Sequence, residues 1–109
     1  MVGSENDTEV YDLFMRGQDL IDHKDYAQAT IPLAKATRLD PDKASIRESY
    51  GRALLGARRY DEAAAQFTEA LRLSPTDPFL HRCLARALLR SGDRRAAARH
   101  VRLADALGG

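Results

Sequence analysis

One skeleton of residues recurs at intervals of 34 along the chain, and that period limits the fold more than any other feature. Gly51, Ala63, Phe67, Ala70 and Pro75 have counterparts of the same kind 34 residues earlier, at Gly17, Ala29, Leu33, Ala36 and Pro41. The forward step gives Ala85, Ala97, Val101 and Ala104. Small residues at helical spacing, interleaved with one larger apolar residue, mark helices that must approach closely. A hairpin of two such helices cannot bury its apolar face alone, so it is built to stack on copies of itself. The repeats run over about residues 10–43, 44–77 and 78–109, and residues 9–109 form a single domain.

On these residues the sequence resembles the tetratricopeptide repeat family in all three copies, over roughly nine tenths of the chain. The resemblance implies an all-α fold, a right-handed superhelix (α-solenoid) of three antiparallel helix-turn-helix hairpins. It also implies a protein-binding scaffold without catalysis. The third copy departs from the pattern twice: Ala85 replaces the glycine, and Arg94 stands where Tyr26 and Tyr60 stand in the earlier copies.

Local signals place the helix ends. Residues 1–8 read as a mobile acidic tail, with Asp7 or Thr8 capping a first helix that runs to about His23. Leu13, Gly17 and Leu20 fall on the side facing the partner helix. Asp25 with Gln28 three residues later predicts a capping box for the second helix. Pro32 within that helix removes one hydrogen bond to Gln28 and predicts a bend, not a break. Asp40-Pro41 ends the hairpin and Asp42 is a candidate cap for the next helix. Arg58-Arg59 makes the second turn, with Asp61 and Glu62 supplying negative charge at a helix start. Asp77-Pro78 opens the third hairpin, and Ser91-Gly92-Asp93 turns it.

Charge is balanced in sum and uneven in place. The formal net charge is +1. Residues 1–9 carry three acids and no base, whereas residues 78–109 carry seven arginines against Asp93 and Asp105. No apolar run approaches the roughly 18 to 20 residues that span a bilayer. The acidic, polar start lacks the features of a secretory signal, so a cytoplasmic location is the default expectation. The single cysteine, Cys83, excludes an internal disulfide; Arg82 and His81 beside it would lower its pKa, yet nothing supplies an oriented base. His23, His81 and His100 are assigned no partner at metal-ligand spacing and read as surface or boundary residues. No cofactor or metal is implied.

A binding face follows from helix geometry. At about 100° per residue, Tyr50, Gly51 and Leu54 set the inward direction of the middle hairpin's first helix, and Ser45, Glu48, Arg52 and Leu55 project roughly opposite. The equivalents are Tyr11, Phe14, Gln18 and Ile21 in the first repeat, and Phe79, Arg82, Arg86 and Leu89 in the third. In the family such positions line a concave groove, which the resemblance makes a peptide or partner-helix site. Its arginines favour acidic ligands, with Phe14 and Phe79 offering apolar contact. The places of a chaperone-tail carboxylate clamp fall on Phe14, Gln18, Ser49, Phe79 and Cys83, and none is lysine or arginine, which argues against that subfamily. A rival reading is nucleic-acid binding by Arg82, Arg86, Arg90 and Arg94, spaced by four; the balanced total charge weighs against it. Leu103, Leu107 and Ala96–Ala98 form an apolar strip at an end no further helix covers. With the acidic start and basic end, that strip suits a closed antiparallel homodimer, against a monomer whose end is capped by its own Arg95, Arg99 and Arg102.

Overall fold

The computed structural model describes residues 2–108, with side chains from residue 6 onward. Six helices follow one another: α1 (Val2–Asp22), α2 (Tyr26–Leu39), α3 (Ala44–Gly56), α4 (Tyr60–Leu73), α5 (Pro78–Ser91) and α6 (Arg94–Ala106). They pair as α1–α2, α3–α4 and α5–α6, and the hairpins stack through α2 on α3 and α4 on α5. α1 also lies against α3, and α3 against α5, whereas α2, α4 and α6 make no such mutual contacts among the described residues. The first helices therefore converge on one side and the second helices fan apart on the other, which curves the stack into a right-handed α-solenoid. The body measures 45 × 26 × 19 Å.

Each of the first two hairpins closes on a glycine. A Cβ placed on Gly17 would overlap the Leu33 side chain, and one on Gly51 would stand 2.6 Å from the Phe67 ring. Leu33 and Phe67 are fully buried as a result. Phe67 then joins Leu54, Leu71, Leu80 and Leu84 in a cluster spanning α3, α4 and α5, so the contact inside one hairpin also mounts the next. In the third hairpin Ala85 is buried, but Val101 is 42% exposed and does not take the inward place its register predicts. Its counterparts Leu33 and Phe67 are covered by the following hairpin, and no described helix follows α6. The apolar strip is likewise only partly open: Ala96 and Ala97 are buried against α5, whereas Leu103 and Leu107 are exposed.

The three turns repeat one backbone solution. Lys24, Arg58 and Gly92, again 34 apart, all have positive φ, at 61°, 65° and 99°. After each, the chain folds back with a bond from the N–H of Asp25, Arg59 or Asp93 to the carbonyl of Leu20, Leu54 or Leu88, all 2.8 Å. This is the left-handed helix stop that normally selects glycine.

Several local expectations are corrected. α1 reaches back to Val2, so Asp7 and Thr8 lie within the helix and the segment read as a tail forms its opening turns. Acidic side chains there suit the positive end of the helix dipole, and Glu9 is held by Lys35 of α2 at 3.0 Å. Asp25 occupies the cap position of α2 without any side-chain cap bond, so the capping box does not form. Lys43, not Asp42, precedes α3, and Asp42 pairs with Arg72 at 3.3 Å instead. Asp77 caps α5 as expected, accepting from the Phe79 N–H at 2.9 Å, and Asp93, read from the sequence only as part of a turn, caps α6 by accepting from the Ala96 N–H at 3.1 Å. α2 continues through Pro32, which is buried.

His81 and His100, assigned no partner from the sequence, meet across the third hairpin. Their Nδ1 atoms lie 3.0 Å apart, and His81 Nε2 lies 3.0 Å from the Pro75 carbonyl. The carbonyl can only accept, so His81 carries its proton on Nε2 and offers a bare Nδ1 to the N–H of His100. The ring centroids are 5.3 Å apart while the nitrogens nearly touch, so the contact is edge to edge. Burial first, then the charges of His81 and Arg99, holds the His100 pKa below its ordinary value.

Two tests follow from the turns and the pair. A non-glycine residue in the left-handed region carries strain, so Arg58→Gly should stabilise the fold by about 1 kcal/mol, read as a higher urea midpoint at unchanged slope; Arg58 makes no ion pair among the described residues that would offset the gain. For His100, the folded chain resists a proton that the unfolded chain accepts. The stability of the neutral pair is therefore complete above about pH 6.5 and is lost as pH falls from there towards the depressed folded value. His23 shifts the opposite way, raised by its bond to the Asp19 carbonyl. The His100→Gln variant isolates the pair: its melting temperature should fall less than that of the wild type between about pH 7.5 and about pH 5.

Candidate functional site

Because α1, α3 and α5 converge, the side chains opposite their packed faces share the inner surface of the solenoid. Two depressions occupy it. The larger, of about 510 Å³, lies toward the C-terminal ends of the first helices and is lined by Ile21, Arg52, Leu55, Arg86 and Leu89. Tyr26, Gly56, Tyr60 and Arg90 complete its wall. The smaller, of about 410 Å³, lies at the other end, between Asp7, Val10, Tyr11 and Phe14 of α1 and Asp40, Lys43, Ser45 and Ile46 around the start of α3. Gln18 and Glu48 sit on α1 and α3 between the residues of the two depressions. Phe79 and Arg82 line neither; Phe79 is 47% exposed on α5.

Register explains the larger depression. Tyr26 and Tyr60 are 34 apart, and so are Gly56 and Arg90. A Cβ at Gly56 would overlap the Tyr26 ring, so the absent side chain admits that ring against the backbone of α3. In the next repeat the Arg90 guanidinium lies over the Tyr60 ring, 5.4 Å from its centroid, with Nη2 3.4 Å from the tyrosine oxygen. One tyrosine is held by a missing side chain and the other by a cation–π contact. Neither tyrosine was singled out for the groove from the sequence; their shared register with the turn residues was the available signal.

The charges in this depression are unequal. Three arginines line it and no carboxylate does. Arg52 is 3.6 Å from Glu48, a loose i,i+4 pair, and burial raises the Glu48 carboxyl above its usual range. Arg86 is exposed and makes no ion pair among the described residues. Gln18 buries its side-chain oxygen without a hydrogen-bond partner.

The four arginines spaced by four do not make one path. Arg82, Arg86 and Arg90 lie on α5, but the turn at Gly92 puts Arg94 on α6. Arg82 is paired with Asp105 at 3.4 Å, and Arg90 is stacked on Tyr60.

Cys83 reverses expectation. Its thiol is pushed up to about 11, by burial first and by Glu48 next, and the neighbouring Arg82 does not activate it. Adjacent helix residues point about 100° apart, so sequence neighbours are not side-chain neighbours. Among the described residues no group of three or more His, Cys, Asp or Glu side chains is placed to hold a metal ion. No helix among them is long and apolar enough to cross a membrane.

Comparisons with known proteins agree with this architecture. Two family models, both described as tetratricopeptide repeat, match residues 14–78 and 54–107. Among solved structures, MamA MSR-1 is 27% identical with a TM-score of 0.85, over 91% of this chain and 57% of that one. MamA AMB-1 is 28% identical with a TM-score of 0.86, over 91% and 59%. The chain thus spans a little over half the length of these relatives. The second tetratricopeptide domain of Spaghetti (RPAP3), solved with the HSP90 peptide SRMEEVD, is 18% identical with a TM-score of 0.88, over 98% and 99%, a likeness of fold alone. No curated protein sequence matches the chain. With a family model over more than half its length and three stacked hairpins in register, the chain belongs to the tetratricopeptide repeat family, a fold of protein-interaction scaffolds.

Proposed function

We propose that the inner face binds an acidic segment of a protein partner, with the larger depression as its main seat. The observation that carries this reading is the set of Arg52, Arg86 and Arg90 around an apolar wall of Ile21, Leu55 and Leu89, with no carboxylate in the lining. Guanidinium groups offer planar forks of N–H donors that match carboxylates. The aliphatic wall and the two tyrosine rings give the rest of the ligand something to exclude water against. A segment with one or two carboxylates beside a leucine or aromatic residue meets both demands. Tyr11 and Phe14 in the smaller depression extend the contact along α1, while Gln18 and Glu48 offer polar groups between. Phe79 and Arg82 stand at the rim as outer contacts.

The nucleic-acid reading has less to rest on. A phosphate-tracking surface needs several free cations in one line, and among the described residues Arg82 and Arg90 of the α5 set already have partner groups, leaving Arg86.

Binding of acidic and neutralised versions of the same peptides to the wild type and to Arg52→Glu with Arg86→Glu tests the proposal. Each charge-assisted hydrogen bond contributes about 1.5–3 kcal/mol, so reversing two such donors should weaken acidic ligands at least about tenfold. Equal affinity in both proteins would remove the arginines from the site. A gel-shift series over rising salt separates the classes, since nucleic-acid binding through phosphates weakens steeply with salt.

A further inference from the structure

We infer that the inner faces of two copies pair about a twofold axis that runs between their α3 helices and along them, the acidic stripe of α1 on each lying along the basic stripe of α5 on the other. This rests on the reading of the inner face as a seat for acidic segments, and it names one occupant: a second copy of this chain.

The chain carries a segment of the required chemistry. Residues 6–22 of α1 hold five carboxylates against Arg16 alone. Tyr11, Met15, Asp19 and Asp22 fall within about 80° of one another around the helix. Tyr11 is 62% and Met15 46% exposed, and both aspartates are exposed. The opposing stripe on α5 is Phe79, Arg82, Arg86, Leu89 and Arg90, all exposed, and residues 78–91 contain no acid. Each stripe spans twelve residues, from Tyr11 to Asp22 and from Phe79 to Arg90, about 16 Å of helix. α1, α3 and α5 run parallel as the first helices of their hairpins, so a twofold axis running along the direction of α3 lays α1 parallel to the partner's α5. That places Tyr11 near Phe79, Asp19 near Arg86 and Asp22 near Arg90. Apolar meets apolar and carboxylate meets guanidinium at both rims at once.

Register argues against the other use of the same complementarity, which is stacking end on end. Asp12 and Asp19 of α1 stand 34 before Ile46 and Ala53 and 68 before Leu80 and Ala87, all four of them buried between hairpins. At the far end Asp105 stands 34 after Leu71, also buried. Leu71 and Leu80 belong to one cluster at the α4–α5 junction. A second copy continuing the solenoid in register would bring its Asp12 into the place of Leu80 and set it against Asp105 in the place of Leu71. Two carboxylates would meet where two leucines pack, so the growing assembly is disfavoured and the closed pair remains.

Light scattering over a wide concentration range, in low and high salt, reads the outcome. In low salt the mass should climb to twice the 12.1 kDa chain and stop there. Two charge-reversed variants, Arg86→Glu with Arg90→Glu and Asp19→Lys with Asp22→Lys, should each stay at the single-chain mass while keeping the wild-type helical signal. Mixed together they should restore the double mass, because each then meets its complement at both rims. A wild-type mass of 12.1 kDa at every concentration, a mass that grows without a plateau, or a mixture that stays single would overturn the pairing. The Asp19→Lys, Asp22→Lys variant keeps its arginine seat, so acidic peptides should still bind it. Loss of that binding counts against the seat itself, whereas a peptide-binding wild type that never pairs counts against this inference alone.

Discussion

The solenoid depends on the contact between a residue without a side chain and the largest apolar side chain facing it. Gly17 against Leu33 and Gly51 against Phe67 let each pair of helices close until the larger group is fully buried. Adding one methyl at either glycine would force that group to move, and a packed core resists such movement at about 1–3 kcal/mol. The third hairpin meets the constraint by exchange. Ala85 brings the methyl and is buried, while Val101, smaller than Leu33 and Phe67, stays 42% exposed, so the buried core there is smaller. The groove depends on the same contact, since how closely each hairpin packs fixes where α1, α3 and α5 can meet.

What the period determines was legible before any coordinates. Six helices, three hairpins and the inward glycines all follow from residues 34 apart and from helical spacing. Contacts at other separations were not legible. Tyr26 meets Gly56 and Tyr60 meets Arg90, each pair 30 residues apart, a separation that is neither the repeat nor a helical step. His81 meets His100 at 19, a distance set by where one helix of a hairpin crosses the other. Caps at α2 and α3 failed for a related reason. Asp42 has a suitable side chain but pairs with Arg72, while Asp25 makes no cap bond although Asp93, after the same kind of turn, does. Cys83 was misread by treating neighbours in sequence as neighbours in space.

Repetition also shows which residues are not there for the fold. Where the three copies agree, packing accounts for the choice. Where one copy carries a carboxylate at a position buried and apolar in another, as Asp12 and Asp19 do against both other copies and Asp105 does against Leu71, packing alone would have kept the apolar residue. Those departures lie on the two end faces, and on α1 they leave carboxylates beside an exposed methionine. Carboxylates at both ends are thus written into positions that the repeat reserves for stacking.

The arginines of the groove differ in how free they are, and that ranking sets what a ligand can gain. Arg82 already meets Asp105, so a ligand taking it would break one ion pair to make another. Arg90 lies on Tyr60, which fixes its plane and leaves donors at its edge, so little rotamer entropy is lost on binding. Arg52 shares Glu48 at a separation too long for a hydrogen bond, and burial already disfavours the charge on that carboxylate. A ligand carboxylate with better geometry can displace Glu48 at small loss, and Arg86 has nothing to give up. Binding strength should therefore concentrate at Arg52 and Arg86 on facing helices, where one carboxylate can bridge α3 and α5 and so tighten the curvature that forms its own seat.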